Sequence, residues 1–338
     1  MKKPLKIAIN GLGRIGRVFL RIAWGDPNFE IVAANSRSEL SLYAHLLKYD
    51  SVYGIWDKDV KFAGDNLVID GKKVRFFQEK KADQLPWGMV KPELVIEASG
   101  KYRNIEEAKK HLETGAKYVL ITAPVDGPGT TLVRGINEQS FDPKKDRVMS
   151  AASCTSICSS LVVKVLEESF GIEHGFINTV HAFTQDQNLQ DGSHKDLRRA
   201  RAASMSIIPT STGVTKTIDR LFPGLKSKMS GLAYRVPIPD PSVLSITASL
   251  KTSVTAEAVN QAFEKAAAGA LNGHLAVSSE PLVSVDYKQN PFGATVDLLS
   301  TDVVDGKLAN IVAWYDNEWG YVTQVVSLLE YLASRIRR

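Results

Sequence analysis

The chain has 338 residues, 44% hydrophobic and 23% charged, which is the balance of a soluble globular protein with two domains. Its 42 Lys and Arg against 37 Asp and Glu leave a net charge of +5, too small to argue for nucleic acid but compatible with phosphorylated ligands. Two cysteines exclude a disulfide framework and point to a reducing compartment, the cytoplasm. No run of about 18 apolar residues spans a membrane, and the charged start Met1-Lys2-Lys3-Pro4 lacks the apolar core of a signal peptide.

Leu5–Asn10 reads as a short buried strand, and Gly11-Leu12-Gly13-Arg14-Ile15-Gly16 follows it directly. Arg17–Trp24 then has helical character and stops at Gly25-Asp26-Pro27. A strand, a GxGxxG turn and a helix in that order hold a dinucleotide pyrophosphate on the helix N-terminus. The second strand, Glu30–Asn35, would normally end on an acidic residue that binds the ribose 2′-OH of NAD. Here it ends in Asn35-Ser36-Arg37, and a hydroxyl with a guanidinium suits the 2′-phosphate of NADP.

Phe62–Phe77 reads as hairpin strands around the turn pair Asp70-Gly71. Leu94–Ala98 is a strand ending in Ser99-Gly100, Asn104–Thr114 a helix closed by Gly115, and Tyr118–Thr122 the next strand. This alternation predicts a doubly wound, mostly parallel α/β sheet, with ligands at the strand ends where Asn10, Asn35, Ser99 and Thr122 lie.

Asp146–Met149 ends a further strand, and Leu161–Glu168 has helical spacing. Ser153 is the candidate N-cap between them, which puts Cys154 in the first helical turn, where the helix dipole favours a thiolate. Cys158 lies four residues on, and no second pair completes a zinc site, so no metal is expected. Gly175–Thr184 is a long β-like run carrying His181, the best base for Cys154, and a thiolate–imidazolium pair is the expected resting state. A long polar and basic loop follows, through Ser193 and Lys195–Arg201, before Ile207–Gly213. Strands around Leu232–Pro237, Val243–Leu250, Gly293–Leu299 and Ala309–Tyr315, with helices at Ala256–Ala268 and Gly320–Ile336, predict a mixed or antiparallel second sheet.

A cysteine nucleophile beside a dinucleotide domain points to aldehyde oxidation through a hemithioacetal and a thioester. Thr155, Thr184, Arg199, Arg201, Arg235 and Thr212-Gly213 are candidates to hold substrate and inorganic phosphate.

The stretches Ile9–Arg17, His45–Ser51, Ala152–Thr155, Thr179–His181, His194–Ala203, Ile208–Gly213 and Trp314–Tyr321 together resemble the phosphorylating glyceraldehyde-3-phosphate dehydrogenase family over nearly the whole chain. The resemblance implies a Rossmann NAD(P)-binding domain at 1–152 completed by a helix at 318–338, and an α+β catalytic domain at 153–317. It implies Cys154 as nucleophile and His181 as acid/base. Thr184 and Arg235 would take the substrate phosphate. Ser153, Thr155, Thr212 and Gly213 would take the attacking phosphate, with Arg199 in the same anion region. Gly11, Gly13, Arg14 and Ile15 would line the pyrophosphate site, Ser99, Gly100 and Thr122 the rest of the groove, and Asn317 would orient the nicotinamide carboxamide. Such enzymes form homotetramers in which the loop 185–205 reaches a neighbouring subunit's cofactor.

The chain departs from the family at Ala151 and Ile157, which stand for Asn and remove polar support around the cysteine helix. Ser36 replaces the usual Asp, and Gly192-Ser193 resembles the Ala-Ser of NADP-using members, so NADP is the expected cofactor, with NAD also usable. Two alternatives stand beside this reading. One is an aldehyde dehydrogenase like erythrose-4-phosphate dehydrogenase, whose relatives tend to lose the phosphate loop that Ser211-Thr212-Gly213 keeps here. The other is a non-catalytic binding homologue.

Overall fold

The computed structural model describes residues 3–337. They form two compact units: the chain up to Val133 with Asn137–Ala152 and the chain from Val325, and Arg134–Ile136 with Ser153–Gln324.

The first unit is built on a nine-stranded sheet in the order Thr130–Thr131, Val148–Ser150, Tyr118–Ile121, Leu94–Glu97, Leu5–Asn10, Phe29–Asn35, Lys72–Phe77, Asn66–Ile69, Val60–Ala63. Pairings run parallel as far as Lys72–Phe77, and the last two are antiparallel. The central strands are near-continuous apolar runs because a parallel sheet is covered on both faces. The region expected as one hairpin has a third strand, Val60–Ala63, at the sheet edge. Asp70 and Gly71, at φ 48° and 77°, make the turn between its other two strands. The helix expected over 104–114 is two short ones, Ile105–Ala108 and Lys110–Glu113, because Leu112 N–H bonds back only three residues, to Lys109 O.

The second unit carries an eight-stranded mixed sheet. Its order is Ile208–Thr210, Met229–Val236, Ile172–Ala182, Ser242–Leu250, Leu308–Tyr315, Ala294–Asp297, Leu275–Ser278, with Asp302–Val304 beside Leu308–Tyr315. Strand Ser242–Leu250 alternates buried and half-buried residues, so one face looks into the core. On that core lies the helix Cys154–Phe170, packed against Leu308–Tyr315, Ser242–Leu250 and Ala294–Asp297. It is buried on nearly every side, and the hydroxyls this would strand are satisfied: Ser156 bonds Thr217 Oγ1, Ser159 bonds Ser156 O and Ser160 bonds Ile157 O.

Ile157, expected to remove polar support around this helix, is buried and packed. A Cβ on Gly293 would lie 2.7 Å from Ile157 Cγ2 and 2.9 Å from Leu161 Cδ1, so Ile157 fills space that the glycine leaves open. Burying such a side chain contributes about 1.5–3 kcal/mol. The Asn of the family is therefore replaced here by apolar packing rather than by a void.

Candidate active site

Ser153 caps the helix Cys154–Phe170 in the expected way: its backbone is extended and its Oγ accepts from Ser156 N–H at 3.2 Å. This sets Cys154, half-buried, in the first turn. Strand Ile172–Ala182 brings His181 across the sheet, with Nε2 3.5 Å from Cys154 Sγ. The imidazole is buried, and its Nδ1 lies 2.7 Å from Ala182 O. The tautomer protonated at Nδ1 is the one that turns the Nε2 lone pair toward the thiol.

Arg235 adds something the sequence did not suggest. Strands Ile172–Ala182 and Met229–Val236 run parallel with His181 opposite Arg235. Arg235 Nη1 donates to Ala182 O at 3.0 Å and lies 2.6 Å from His181 Nδ1. Burial and this neighbouring guanidinium hold the imidazole down to about 3. Burial also pushes the Cys154 thiol up to about 11, although the Arg235 charge works the other way. Both shifts run against the expected thiolate–imidazolium resting pair. Burial weighs most in both, and for His181 a second cation also stands where the imidazolium charge would form.

The phosphate candidates fall in the same unit. Gly213 caps the helix Val214–Leu221, and Thr212 Oγ1 accepts from Val214 N–H at 3.3 Å. Arg235 Nε is buried with no hydrogen-bond partner among the described residues. Thr155 Oγ1 lies 4.0 Å from the sulfur. Thr184 follows the strand and its N–H bonds Gln187 Oε1. Arg199 is not a free cation: it pairs with Asp186 at 2.5 Å, bonds Thr210 Oγ1 at 2.9 Å and reaches Ser211 O at 3.3 Å. It therefore ties the loop after residue 184 to the segment that carries Thr212 and Gly213. Arg201 pairs with Asp191 on the surface, and Ser193 is exposed. Ser242 donates to Asn317 Oδ1 at 2.7 Å, which leaves the Asn317 amide N–H₂ to donate elsewhere.

In the first unit the glycine turn has three separate jobs. Gly11 has φ 101°, and a Cβ there would meet Ser99 backbone at 2.6 Å; on Gly16 it would meet Gly11 O at 1.9 Å. Gly13 faces open space, the position at which a pyrophosphate approaches backbone. Ile15 lies in the first turn of helix Arg14–Ala23, and the Arg14 side chain pairs with Asp50. Asn35 is turned inward: it donates to Asn10 Oδ1 and Glu79 O and accepts from Glu79 N–H. Glu97, missed in the sequence, organises this floor, accepting from Asn10 Nδ2, Ser99 N–H, Ser99 Oγ and buried His111. Thr122 bonds Glu97 O, Gly100 turns at φ 71°, Ser36 is buried and Arg37 exposed. Among the described residues no His, Cys, Asp and Glu cluster could hold a metal, and no helix is long and apolar enough to cross a membrane.

Comparison with known proteins bears on this arrangement. Residues 153–317 match the family model described as glyceraldehyde 3-phosphate dehydrogenase, C-terminal domain, and residues 5–105 match its NAD binding domain. The chain is 47% identical over 333 residues to glyceraldehyde-3-phosphate dehydrogenase 2 of Bacillus subtilis (strain 168), covering 98% of each chain. It is 48% identical over 331 residues to glyceraldehyde-3-phosphate dehydrogenase of Geobacillus stearothermophilus, covering 98% of this chain and 99% of the relative. It is 45% identical over 336 residues to the chloroplastic glyceraldehyde-3-phosphate dehydrogenase A of Zea mays, covering 98% of this chain and 83% of the relative. The chain therefore belongs to the glyceraldehyde-3-phosphate dehydrogenase family, as an α/β dehydrogenase with a Rossmann domain for a nicotinamide dinucleotide.

Proposed function

We propose that the protein oxidises glyceraldehyde 3-phosphate to 1,3-bisphosphoglycerate, and runs the reverse reaction, with Cys154 as nucleophile. The observation that carries this reading is the 3.5 Å approach of His181 Nε2 to Cys154 Sγ at the start of a helix.

His181 takes the thiol proton as sulfur attacks the aldehyde carbon, then returns it to the new oxyanion to give a hemithioacetal. Arg235 disfavours the imidazolium and so drives that return. His181 next removes the hydroxyl proton as hydride leaves, and a thioester remains on Cys154. When bound, the nicotinamide ring supplies the hydride acceptor. A phosphate oxygen then attacks the thioester carbon, the phosphate's own proton is lost to solvent, and the departing thiolate recovers its proton from His181. Thr184 and the unpartnered Nε of Arg235 suit the substrate phosphate; Ser153, Thr155, Thr212 and Gly213 suit the attacking one. Arg199 acts on that anion site by holding the Thr210–Ser211 segment.

Gly13, with open space beside it, fits the dinucleotide, with Asn10, Gly11, Arg14, Ile15, Asn35, Ser99, Gly100 and Thr122 around it. NADP is the preferred form, with NAD accepted, on the strength of Ser36, Arg37 and Ser193. A homotetramer in a reducing cytoplasm suits the exposed Leu189, Leu197 and Met205 of the loop and the two free cysteines. The erythrose-4-phosphate reading is weaker, since the Thr212-Gly213 helix start is intact, and a non-catalytic binder has no need of the Cys154–His181 pair.

The test is the initial rate with glyceraldehyde 3-phosphate, with NADP and NAD in parallel, with and without phosphate. Phosphate-dependent reduction that favours NADP is expected. A rate indifferent to phosphate, or no thioester trapped on Cys154, would overturn the assignment.

A further inference from the structure

In the first unit, several side chains placed around the dinucleotide hang on one buried carboxylate. Glu97 Oε2 accepts from Asn10 Nδ2 at 2.5 Å, and Glu97 Oε1 accepts from Ser99 N–H at 2.8 Å and Ser99 Oγ at 2.5 Å. The Glu97 backbone carbonyl takes both N–H and Oγ1 of Thr122, each at 3.0 Å. One more bond to the carboxylate comes from behind these strand ends. His111 Nε2, on helix Lys110–Glu113, lies 2.9 Å from Glu97 Oε2. Behind it, Trp87 Nε1 lies 3.0 Å from His111 Nδ1. Trp87, Glu97 and His111 are all buried, and Tyr102 meets the imidazole edge-on at 5.7 Å.

The direction of every bond in this network is fixed from its two ends. An indole N–H can only donate, so His111 Nδ1 accepts and the ring carries its proton on Nε2, which donates to Glu97. At the far end a backbone N–H can only donate, so Glu79 N–H faces Asn35 Oδ1, at 2.8 Å. Asn35 Nδ2 then donates to Asn10 Oδ1, and Asn10 Nδ2 to Glu97. A carboxylate has about four lone-pair sites. Asn10, the two groups of Ser99 and His111 fill them. With the His111 donor gone, a buried lone pair goes unmet, and the carboxylate must turn toward another donor. That turn unseats Asn10 and Ser99.

We infer that His111 is a positioning residue for the dinucleotide: it gives Glu97 its last donor, Trp87 fixes the tautomer that can give it, and the filled carboxylate holds Asn10 and Ser99 in place. The inference rests on the reading in which Asn10 and Ser99 line the cofactor groove.

The test is dinucleotide Kd by calorimetry and dinucleotide KM from steady-state rates, on the full chain, for H111Q and H111M. The two introduced side chains are nearly equal in length, and only the amide offers an N–H. H111M is expected to raise Kd and KM about tenfold with kcat little changed. H111Q is expected to stay close to the wild type. Nitrogen-15 NMR of the histidine-labelled wild type, which needs no variant to fold, should show the His111 ring protonated at Nε2 and bare at Nδ1. Equal losses in H111M and H111Q, no loss in H111M, or a ring protonated at Nδ1 would overturn the inference, and the groove reading would stand if N10A or S99A still weakened binding. A Kd indifferent to both N10A and S99A would overturn the groove reading and the inference with it.

Discussion

Arg235 Nη1 and His181 Nδ1 lie 2.6 Å apart, and both face the carbonyl of Ala182. A positive charge on the ring would therefore stand against a fixed guanidinium. Burial and this contact together disfavour a charge on His181, and the contact ties the proposed proton-transfer residue to one proposed to hold the substrate phosphate.

Replacing Arg235 with Leu should raise the His181 pKa from about 3 toward the ordinary histidine range, read from the ring Cε1–H in an NMR titration. The same variant should raise KM for glyceraldehyde 3-phosphate. An unchanged titration would show that burial alone holds the ring neutral.

His181 also sets a pH dependence of stability. Its folded pKa is depressed, so the unfolded chain binds the proton first, and stability falls as pH drops below about 6.5. Between pH 7 and 5 this one group costs about 2 kcal/mol. H181N should flatten the acid limb of unfolding midpoint against pH and lower kcat by roughly 10²–10⁴.

Asp240 and Asp316 are both buried, and Asp316 accepts from Gln289, Glu318 and Trp319 N–H groups. Burial, Asp316 and Glu318 push Asp240 up to about 9. A raised folded pKa means stability is fully present below the unfolded value near 4 and is lost as pH climbs toward 9. D240N removes the titrating proton, so it should raise the unfolding midpoint at pH 8 with little effect at pH 4. Equal effects at both would remove the Asp240 proton from the explanation.

The proposed preference for NADP rests in part on Ser36. Ser36→Asp places a carboxylate where the 2′-phosphate would sit, and should move the ratio of kcat/KM for NADP over NAD at least about tenfold toward NAD, since like-charge juxtaposition costs more than 1.4 kcal/mol. A ratio that does not move would place selectivity elsewhere, with Arg37 or Ser193.

Gly16→Ala tests the turn itself. Its Cβ would meet Gly11 O at 1.9 Å, and neither backbone can yield without moving the strand or the helix. Loss of about 1–3 kcal/mol of stability is expected, together with weaker dinucleotide binding by fluorescence titration. Gly13→Ala has room for its Cβ and should weaken binding with little loss of stability.

The sequence by itself determined what depends on local spacing. The strand Leu5–Asn10, the helix Ala256–Ala268 and the Ser153 cap come directly from period, glycine placement and cap chemistry, because those signals act within a few residues. Cys154 and His181 were legible as types, a thiol at a helix start and a histidine on a strand. Only the tertiary structure decided what their partners are. Arg235 comes from a strand 54 positions away, Tyr315 reaches Thr155 across 160, and Glu97 gathers Asn10 across 87. Ile157 likewise reads as lost polarity until Gly293 is seen opposite it. Burial and through-space charge set protonation, and both are properties of residues brought together by strand pairing, which no local pattern encodes.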